Sequence, residues 1–415
     1  MVTAAKRHMT VQMLKADYSG IFAPLPDYRS CSVTWQRLGV GTGTLTTAAQ
    51  GPAVEALQAR DFAVPLVISA PGYPRWSGRA QHVELFRAAA RRGRQPASSL
   101  TMTLVSDWKW LQHILAAPVP GSPWSAQTAE YDTRTGPIVT VAKAYITAAV
   151  ARLAAENAAR QLGAPPIAVV PVQGTDSSPV VTLRARNQML ADLLVDPLRA
   201  AGYDLTVTMW LPGDPQPPGL ILQAPTLVVD IAQGRDQHYV NFRDTLGGLS
   251  KHTVTVTHPA AMSVLVQGPG EGTARVFRKV WADDERPATL GRWGYPEAAL
   301  DATDVDAADT ATLDRRGRDK LTELAGTVSV ALELDDRRPW VAGPTADYWV
   351  NDTVRAAFSG VASTDVIERL ALSDSGTGVL TASPQFGQAT ESPDRQLAAV
   401  VAQLRAQLAQ LQARR

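Results

Sequence analysis

The chain has 415 residues, enough for two to four domains at roughly 100–200 residues each. Forty basic residues against thirty-nine acidic ones leave a net charge of +1, which argues against a dedicated nucleic-acid or membrane-surface binder, since both lean on a basic excess. A single cysteine, Cys31, excludes an intrachain disulfide, so the fold does not depend on an oxidising compartment.

At the N-terminus, Lys6, Arg7 and His8 are not followed by an apolar stretch of 7–15 residues, so no secretory signal is expected. No run is read as the roughly 20 apolar residues that cross a bilayer, and a chain made in the cytoplasm without a membrane span is the expectation. Residues 1–115 then read as mostly β. Strands are expected at Met9–Lys15, Ser32–Leu38, Thr44–Thr47, Phe62–Ser69 and Ser99–Val105, with Gly39-Val40-Gly41-Thr42-Gly43 as a hairpin turn. Three prolines and a glycine within 116–123 mark a linker.

A helix is expected over Pro137–Leu162, with Pro137 in its first turn and Gly163 after its end. Strand Val180–Arg184, helix Asn187–Ala201 and strand Tyr203–Trp210 follow. Pro197 is expected to kink or divide that helix. Strands Leu220–Gln223 and Thr226–Ile231 close an α/β part. From about 240 to 388 the pattern is again largely β. His252–His258 and Met262–Gln267 are joined by Pro259-Ala260, and Val276–Trp281 follows a glycine-rich loop. Later strands fall at Val328–Leu334, Asp347–Val350, Val366–Leu372 and Val379–Thr381. One helix is expected at about 304–325, its acidic start and basic end matching the helix dipole. After Pro393, Leu397, Val401, Leu404, Leu408 and Leu411 are spaced 4, 3, 4, 3, the a/d seam of a short coiled coil. These five residues are the candidate oligomerisation contacts. A simple amphipathic terminal helix is the plainer alternative.

Chemistry-bearing patterns are sparse. Gly39-x-Gly41-x-Gly43 follows a strand without opening a helix, so a turn is expected and not a phosphate cradle. Gly268-Pro269-Gly270-Glu271-Gly272 reads as a loop between strands. Ser106-Asp107-Trp108-Lys109 matches an SxxK pattern that arises by chance and lacks its companion motifs. Asp283-Asp284-Glu285 reads as a solvated turn, and the aspartates of 301–309 lack the glycine and terminal glutamate of a calcium loop. His252 and His258 could share a strand face, but about 20 Å apart at ~3.3 Å per residue they cannot share a metal. No catalytic, cofactor-binding or metal-ligating residue is assigned, no cofactor is expected, and the chain is not expected to be an enzyme. The ten tryptophans are dispersed along the chain, which disfavours a clustered glycan-binding face.

Several segments carry a resemblance. Tyr131-Asp132-Thr133-Arg134-Thr135-Gly136-Pro137 followed by Val141-x-Lys143-x-Tyr145 is similar to a segment of minor tail proteins of siphoviruses infecting actinobacteria. So are the opening Tyr28-Arg29-Ser30 with the Trp35-x-Arg37-x-Gly39 hairpin, the Arg186-Asn187-x-Met189-Leu190-x-Asp192-Leu193-Leu194 segment, and the run from Val264 through Gly268-x-Gly270-Glu271-Gly272-Thr273-Ala274-Arg275. Asp347-Tyr348-x-Val350-Asn351-Asp352 is also similar, with Asn351 standing where glycine is common. The resemblance covers most of residues 1–390.

It implies an α+β, multidomain tail hub resembling baseplate hubs. Two β-barrel modules akin to the tail-tube protein would span 1–115 and 240–388, with an inserted α/β domain at 116–239; the C-terminal coiled-coil helix at 389–415 is expected from the heptad spacing itself. The implied assembly is a homotrimer presenting six tube-like modules at the distal tail tip of the virion. The implied partners are tail-tube and distal tail proteins, other minor tail or fibre proteins and the tape measure protein. The implied roles are host attachment and genome delivery, with no specific nucleic-acid binding. Two further readings stand beside it: a host-surface glycan-binding tail protein, and a cell-wall hydrolase, which would need a carboxylate pair or a metal set in one cleft.

Overall fold

In the computed structural model, residues 9–25, 28–87, 98–122, 124–243, 245, 249–282, 296–307, 309–334, 340–358, 361–376 and 380–386 are described. The chain divides into two compact units, one made of residues 1–252 and 331–386 and the other of 253–330 with 387–415. The 240–388 segment, expected as one module, is therefore shared between the two. The protein is mostly β, with a large and largely antiparallel sheet and few helices.

In the first unit, the N-terminal segment gives β1 (Thr10–Leu14), β2 (Ile21–Pro24), β3 (Tyr28–Gln36), β4 (Thr42–Thr47), the short helix α1 (Pro52–Gln58), β5 (Pro65–Ser69), β6 (Trp76–Arg87) and β7 (Ser98–Ser106). Their alternation is plain in β3, where Cys31 and Val33 are 1% exposed while Arg29 points to solvent. Burial pushes the Cys31 thiol up to about 12, so it stays protonated and inert. The expected strand at Phe62–Ser69 begins only at Pro65, because Asp61 and Phe62 take positive φ in a turn.

The inserted part holds β8 (Asp132–Pro137), α2 (Ile138–Ala159), β9 (Ile167–Val169), β10 (Val180–Ala185), α3 (Leu190–Ala200), β11 (Tyr203–Trp210) and β12 (Thr226–Gln233). The helix α2 is long and apolar enough to cross a membrane by length and composition alone, contrary to the expectation that no run would be. Here it is a core helix: Ile138, Ala142, Ile146 and Ala149 are buried, and Lys143 Nζ reaches Asp230 Oδ1 at 2.7 Å. Tyr145 Oη lies 2.7 Å from the Asp132 carbonyl and 3.0 Å from that of Leu183, tying α2 to the β8–β10 ribbon. The α3 helix runs through Pro197 to Ala200, so the proline does not divide it. Leu220–Gln223, expected as a strand, is irregular, its backbone held by Gln216 through Leu222.

After β13 (Asp236–Arg243), the chain leaves the first unit through β14 (Leu249–Thr257) and returns through β18 (Thr327–Leu334). It ends in β19 (Thr353–Phe358), β20 (Val361–Asp374) and β21 (Leu380–Phe386). The expected strand at Asp347–Val350 is instead a turn, with one isolated bridge between Ala342 and Tyr348. The main sheet runs β14-β18-β21-β20-β3-β4-β7-β6-β5-β1-β2, with β19 on β20 and β13 on β19. Strands of the two β-rich segments thus occupy two contiguous blocks that meet at β20 and β3. There Leu370 faces Trp35, Leu372 faces Val33, and Asp374 faces Cys31. Tyr28 Oη donates to Asp374 Oδ2 at 2.7 Å across this seam.

The second unit is small. β15 (Ser263–Gln267) lies between β16 (Phe277–Trp281) and β17 (Glu297–Asp301), and α4 (Thr310–Glu323) covers one face. Val264, Val266 and Leu313 are 0% exposed there. Gly317 is required, because a Cβ would sit 2.6 Å from Val280. Asp309 caps α4 by accepting from Thr312 N at 3.0 Å, but the helix starts at Thr310 and not near 304, so Asp301, Asp304 and Asp306 precede it and do not fill its first turn. The segment 389–415, with Leu397, Val401, Leu404, Leu408 and Leu411, lies outside the described residues.

Leu370 is 0% exposed at the seam. Leu370→Ala is expected to cost about 2–5 kcal/mol through lost burial and a residual cavity, read as a lower denaturant midpoint.

Candidate functional site

Where the N-terminal strands, the inserted part and the returning chain of the first unit come together, polar side chains join all three. Arg37 Nη1 donates to Glu368 Oε1 at 2.8 Å, and Arg199 Nη1 donates to Glu368 Oε2 at 3.1 Å, so one carboxylate on β20 holds an arginine from each other segment. Asp204, at the start of β11, accepts Leu38 N at 2.8 Å and Leu205 N at 2.9 Å through Oδ1. Arg235, between β12 and β13, donates from Nε to both oxygens of Asp352 (3.2 and 3.0 Å) and from its backbone N to Oδ1 at 2.9 Å. Its Nη2 also donates to Asp352 Oδ2, and its Nη1 to the Ala346 carbonyl at 2.9 Å. Asp352 is 3% exposed, a buried charge kept by a forked partner and by Trp349 N at 2.7 Å.

Asn351 explains its own departure from glycine. Its φ is +73°, a region asparagine enters more readily than most side chains. Its Nδ2 donates to the Gly202 carbonyl at 3.2 Å. Opposite it, Gly234 admits no side chain, because a Cβ would lie 2.0 Å from the Asn351 carbonyl oxygen.

This joint lines a half-open cavity of about 450 Å³ within the first unit. Four tryptophans that are far apart in sequence line it: Trp35, Trp76, Trp108 and Trp349. Trp35 and Trp349 meet edge to face with ring centroids 5.2 Å apart, and Tyr73 completes the group at 6.2 Å from Trp35. The indole N–H groups of Trp76 and Trp108 are committed to the Thr34 and Leu205 carbonyls at 3.0 and 2.9 Å. Along the sequence the tryptophans are dispersed. Only the register of β3 and β6, the 3-10 turn at Asp107–Gln112 and the turn before Asp352 bring them together, and no local pattern signals that convergence.

The weaker motifs resolve as structure. Gly41 N donates to Ser106 Oγ at 2.9 Å, so the glycine turn spends its amide on the protein, and a Gly41 Cβ would lie 2.1 Å from the Thr34 carbonyl oxygen. Ser106 and Lys109 of the SxxK pattern sit at a 3-10 turn, with Ser106 occupied by that contact. In the Gly268–Arg275 run, Gly270 has φ +107° and Arg275 Nε donates to the Gly268 carbonyl at 3.1 Å, which fixes a tight loop between β15 and β16. Asp304 pairs with Arg316 at 2.6 Å and Asp301 with Arg275 at 3.3 Å. His252 stacks on Phe358 at 4.9 Å. Asp283, Asp284 and Glu285 lie outside the described residues. No group of three metal-ligating side chains occurs among the described residues.

Burial pushes the Asp204 carboxyl up to about 7, against the pull of its backbone donors and Arg37. The folded protein then holds a proton that the unfolded chain, with an ordinary aspartate value near 3.9, releases. Asp204 is neutral in both states below about pH 4, so it has no effect there. As pH rises from about 4 to 7 it subtracts stability, and above about 7 the loss is constant. Asp204→Asn retains the Oδ1 acceptor and removes the ionisation. Its stability relative to the native protein is expected to rise by roughly 2–4 kcal/mol between pH 4 and 8, measured by urea unfolding at each pH.

Residues 11–388 match the family described as Siphovirus ReqiPepy6 Gp37-like protein. No curated protein sequence matches the chain. Among solved structures, the chain is similar to a tail protein from Neisseria meningitidis MC58 at 9% identity and TM-score 0.49, covering 92% of this chain and 97% of that one. It is similar to the 43 kDa tail protein of prophage MuSo2 from Shewanella oneidensis at 10% identity and TM-score 0.49, covering 92% and 98%. Prophage tail protein gp18 from Listeria monocytogenes EGD-e follows at 10% identity and TM-score 0.45, covering 96% and 98%. The resemblance to a siphovirus tail-protein family drawn from the sequence agrees with the family match, which spans nearly the same residues: the chain belongs to the Siphovirus ReqiPepy6 Gp37-like protein family.

Proposed function

We propose that the chain is a structural protein of the siphovirus tail that trimerises as the hub at the distal end of the tail tube. In this role it links the tube to tail-tip or fibre proteins and takes part in host attachment and genome delivery. The observation that carries this reading is the two-block sheet. Strands β1–β7 and strands β14 and β18–β21 form contiguous halves of one sheet, joined at β3 and β20.

A six-fold tube can be continued by a three-fold particle when each polypeptide offers two similar surfaces. One chain carrying two β blocks in fixed register supplies that pair of surfaces without a second gene product. The polar joint supports the same reading, because it locks the inserted part to both blocks and would hold their spacing under load. The role is architectural: Arg37, Arg199 and Glu368, and Arg235 and Asp352, hold one another and nearby backbone groups.

In solution, mass photometry is expected to show three chain masses, and a map of the tail tip is expected to show three copies on the tube axis. A copy number that is not a multiple of three would falsify the hub assignment. The heptad seam is proposed as a further trimer contact. Leu404→Asp with Leu408→Asp places charge in that seam and is expected to weaken self-association at least tenfold in sedimentation equilibrium. Unchanged association would leave the β blocks as the trimer contact and remove the helix from it.

A further inference from the structure

The cavity at the joint is too large and too mixed in chemistry to be a packing defect. At about 450 Å³ it falls within the roughly 300–1,000 Å³ typical of small-molecule sites. Its walls combine the aromatic rings of Trp35 and Trp349 with the side chains of Gln36, Gln233, Thr208 and Asp204. Asp204 is 6% exposed. Its Oδ1 takes both backbone donors, and its Oδ2 accepts no hydrogen bond among the described residues.

The charges around the cavity select the guest. Arg75 and Arg235 line it, which disfavours a cation, and each already holds a carboxylate, Asp214 and Asp352 respectively. Asp204 and Asp352 line it as well, which disfavours an anion. A purely apolar guest would strand the Asp204 oxygen and the amides of Gln36 and Gln233 without water. What remains is a neutral molecule that has an apolar face to lie on a ring and hydroxyls that both donate and accept. A pyranose or furanose sugar has that combination: its C–H face packs on an indole, and its hydroxyls meet a carboxylate and planar amides.

We propose that the joint cavity is a binding site for a neutral mono- or disaccharide, with Trp35 and Trp349 as the stacking wall and Asp204 Oδ2 as an acceptor for a sugar hydroxyl. The site would give a tail protein a direct contact with a host-surface glycan, made by the same residues that hold its three segments together. It goes beyond the hub reading, because it requires no particular oligomeric state.

The test uses the purified full chain at pH 7.5 and isothermal titration against galactose, mannose, rhamnose, arabinose, N-acetylglucosamine, maltose and chitobiose, with choline chloride and inorganic phosphate as charged controls. At least one sugar is expected to bind with a Kd on the order of 1 mM, with saturable quenching of tryptophan fluorescence. Trp35→Ala and Gln233→Ala, checked for native melting behaviour, are expected to weaken that binding about tenfold and about threefold, and Asp204→Asn about tenfold. The proposal is overturned if no sugar of the panel binds at 50-fold above that range, roughly 50 mM. It is equally overturned if binding survives all three substitutions unchanged, or if choline or phosphate binds in the sugar's place. Since binding is read on whatever oligomer the protein forms, a negative result here leaves the hub reading standing, and a wrong copy number leaves this one standing.

Discussion

The antiparallel pairing of β3 with β20 is the constraint on which the first unit rests. These strands lie more than 300 residues apart in sequence, and their ladder from Gln36–Arg369 to Cys31–Asp374 is what makes one sheet of two β-rich segments. Because side chains alternate with a period of two, a slip of one residue would turn Val33 and Leu372 out of the core and Ser32 and Ser373 into it. Tyr28 reinforces the register from outside the ladder, through its hydrogen bond to the buried Asp374. Closing so long a loop costs entropy that only the completed pairing and its burial offset, so this ladder belongs among the late, cooperative steps of folding.

Given that seam, the inserted part has little freedom. Its helices share an apolar cluster with Leu38, Trp108 and Leu111, and Met209, Leu211 and Leu227 pack with Leu14 and Val67 of β1 and β5, while directional polar contacts fix the geometry of that attachment. Glu368 takes one arginine from β3's end and one from α3, while Asp352 takes the fork of Arg235. Such contacts add modestly to net stability, but each is costly to break once buried, so they specify geometry more than they drive folding. The closeness of Gly234 to Asn351 has the same effect: the backbones touch, and only one spacing is allowed.

Much of the local structure was legible in the sequence, and most of the tertiary site was not. The α2 helix, the β3–β4 turn and the presence of α4 follow from caps, glycines and alternation, which act over a few residues. The Tyr131–Tyr145 segment was recognisable, and the structure supplies its reason: Lys143 and Tyr145 are the pegs that fix α2 to β12 and to the β8–β10 ribbon. Leu220–Gln223 misled because its apolar residues resemble a strand, yet Ile221 is 88% exposed and the backbone is held by a glutamine side chain. The excision of 253–330 as a separate unit was missed, since β14 and β18 read as ordinary members of one β segment. The tryptophan-lined cavity was invisible for a deeper reason: its walls come from all three segments, and dispersion along a chain says nothing about distance in a fold.

The strands through which the chain departs and comes back, β14 and β18, are neighbours in the sheet. The two points of attachment of residues 253–330 therefore lie side by side, like the ends of a cassette. Evolution can lengthen, shorten or exchange the segment between these strands while the main ladder keeps its hydrogen bonds, since any replacement needs only to close a hairpin. That arrangement lets one lineage diversify an appendage without renegotiating the platform that carries it.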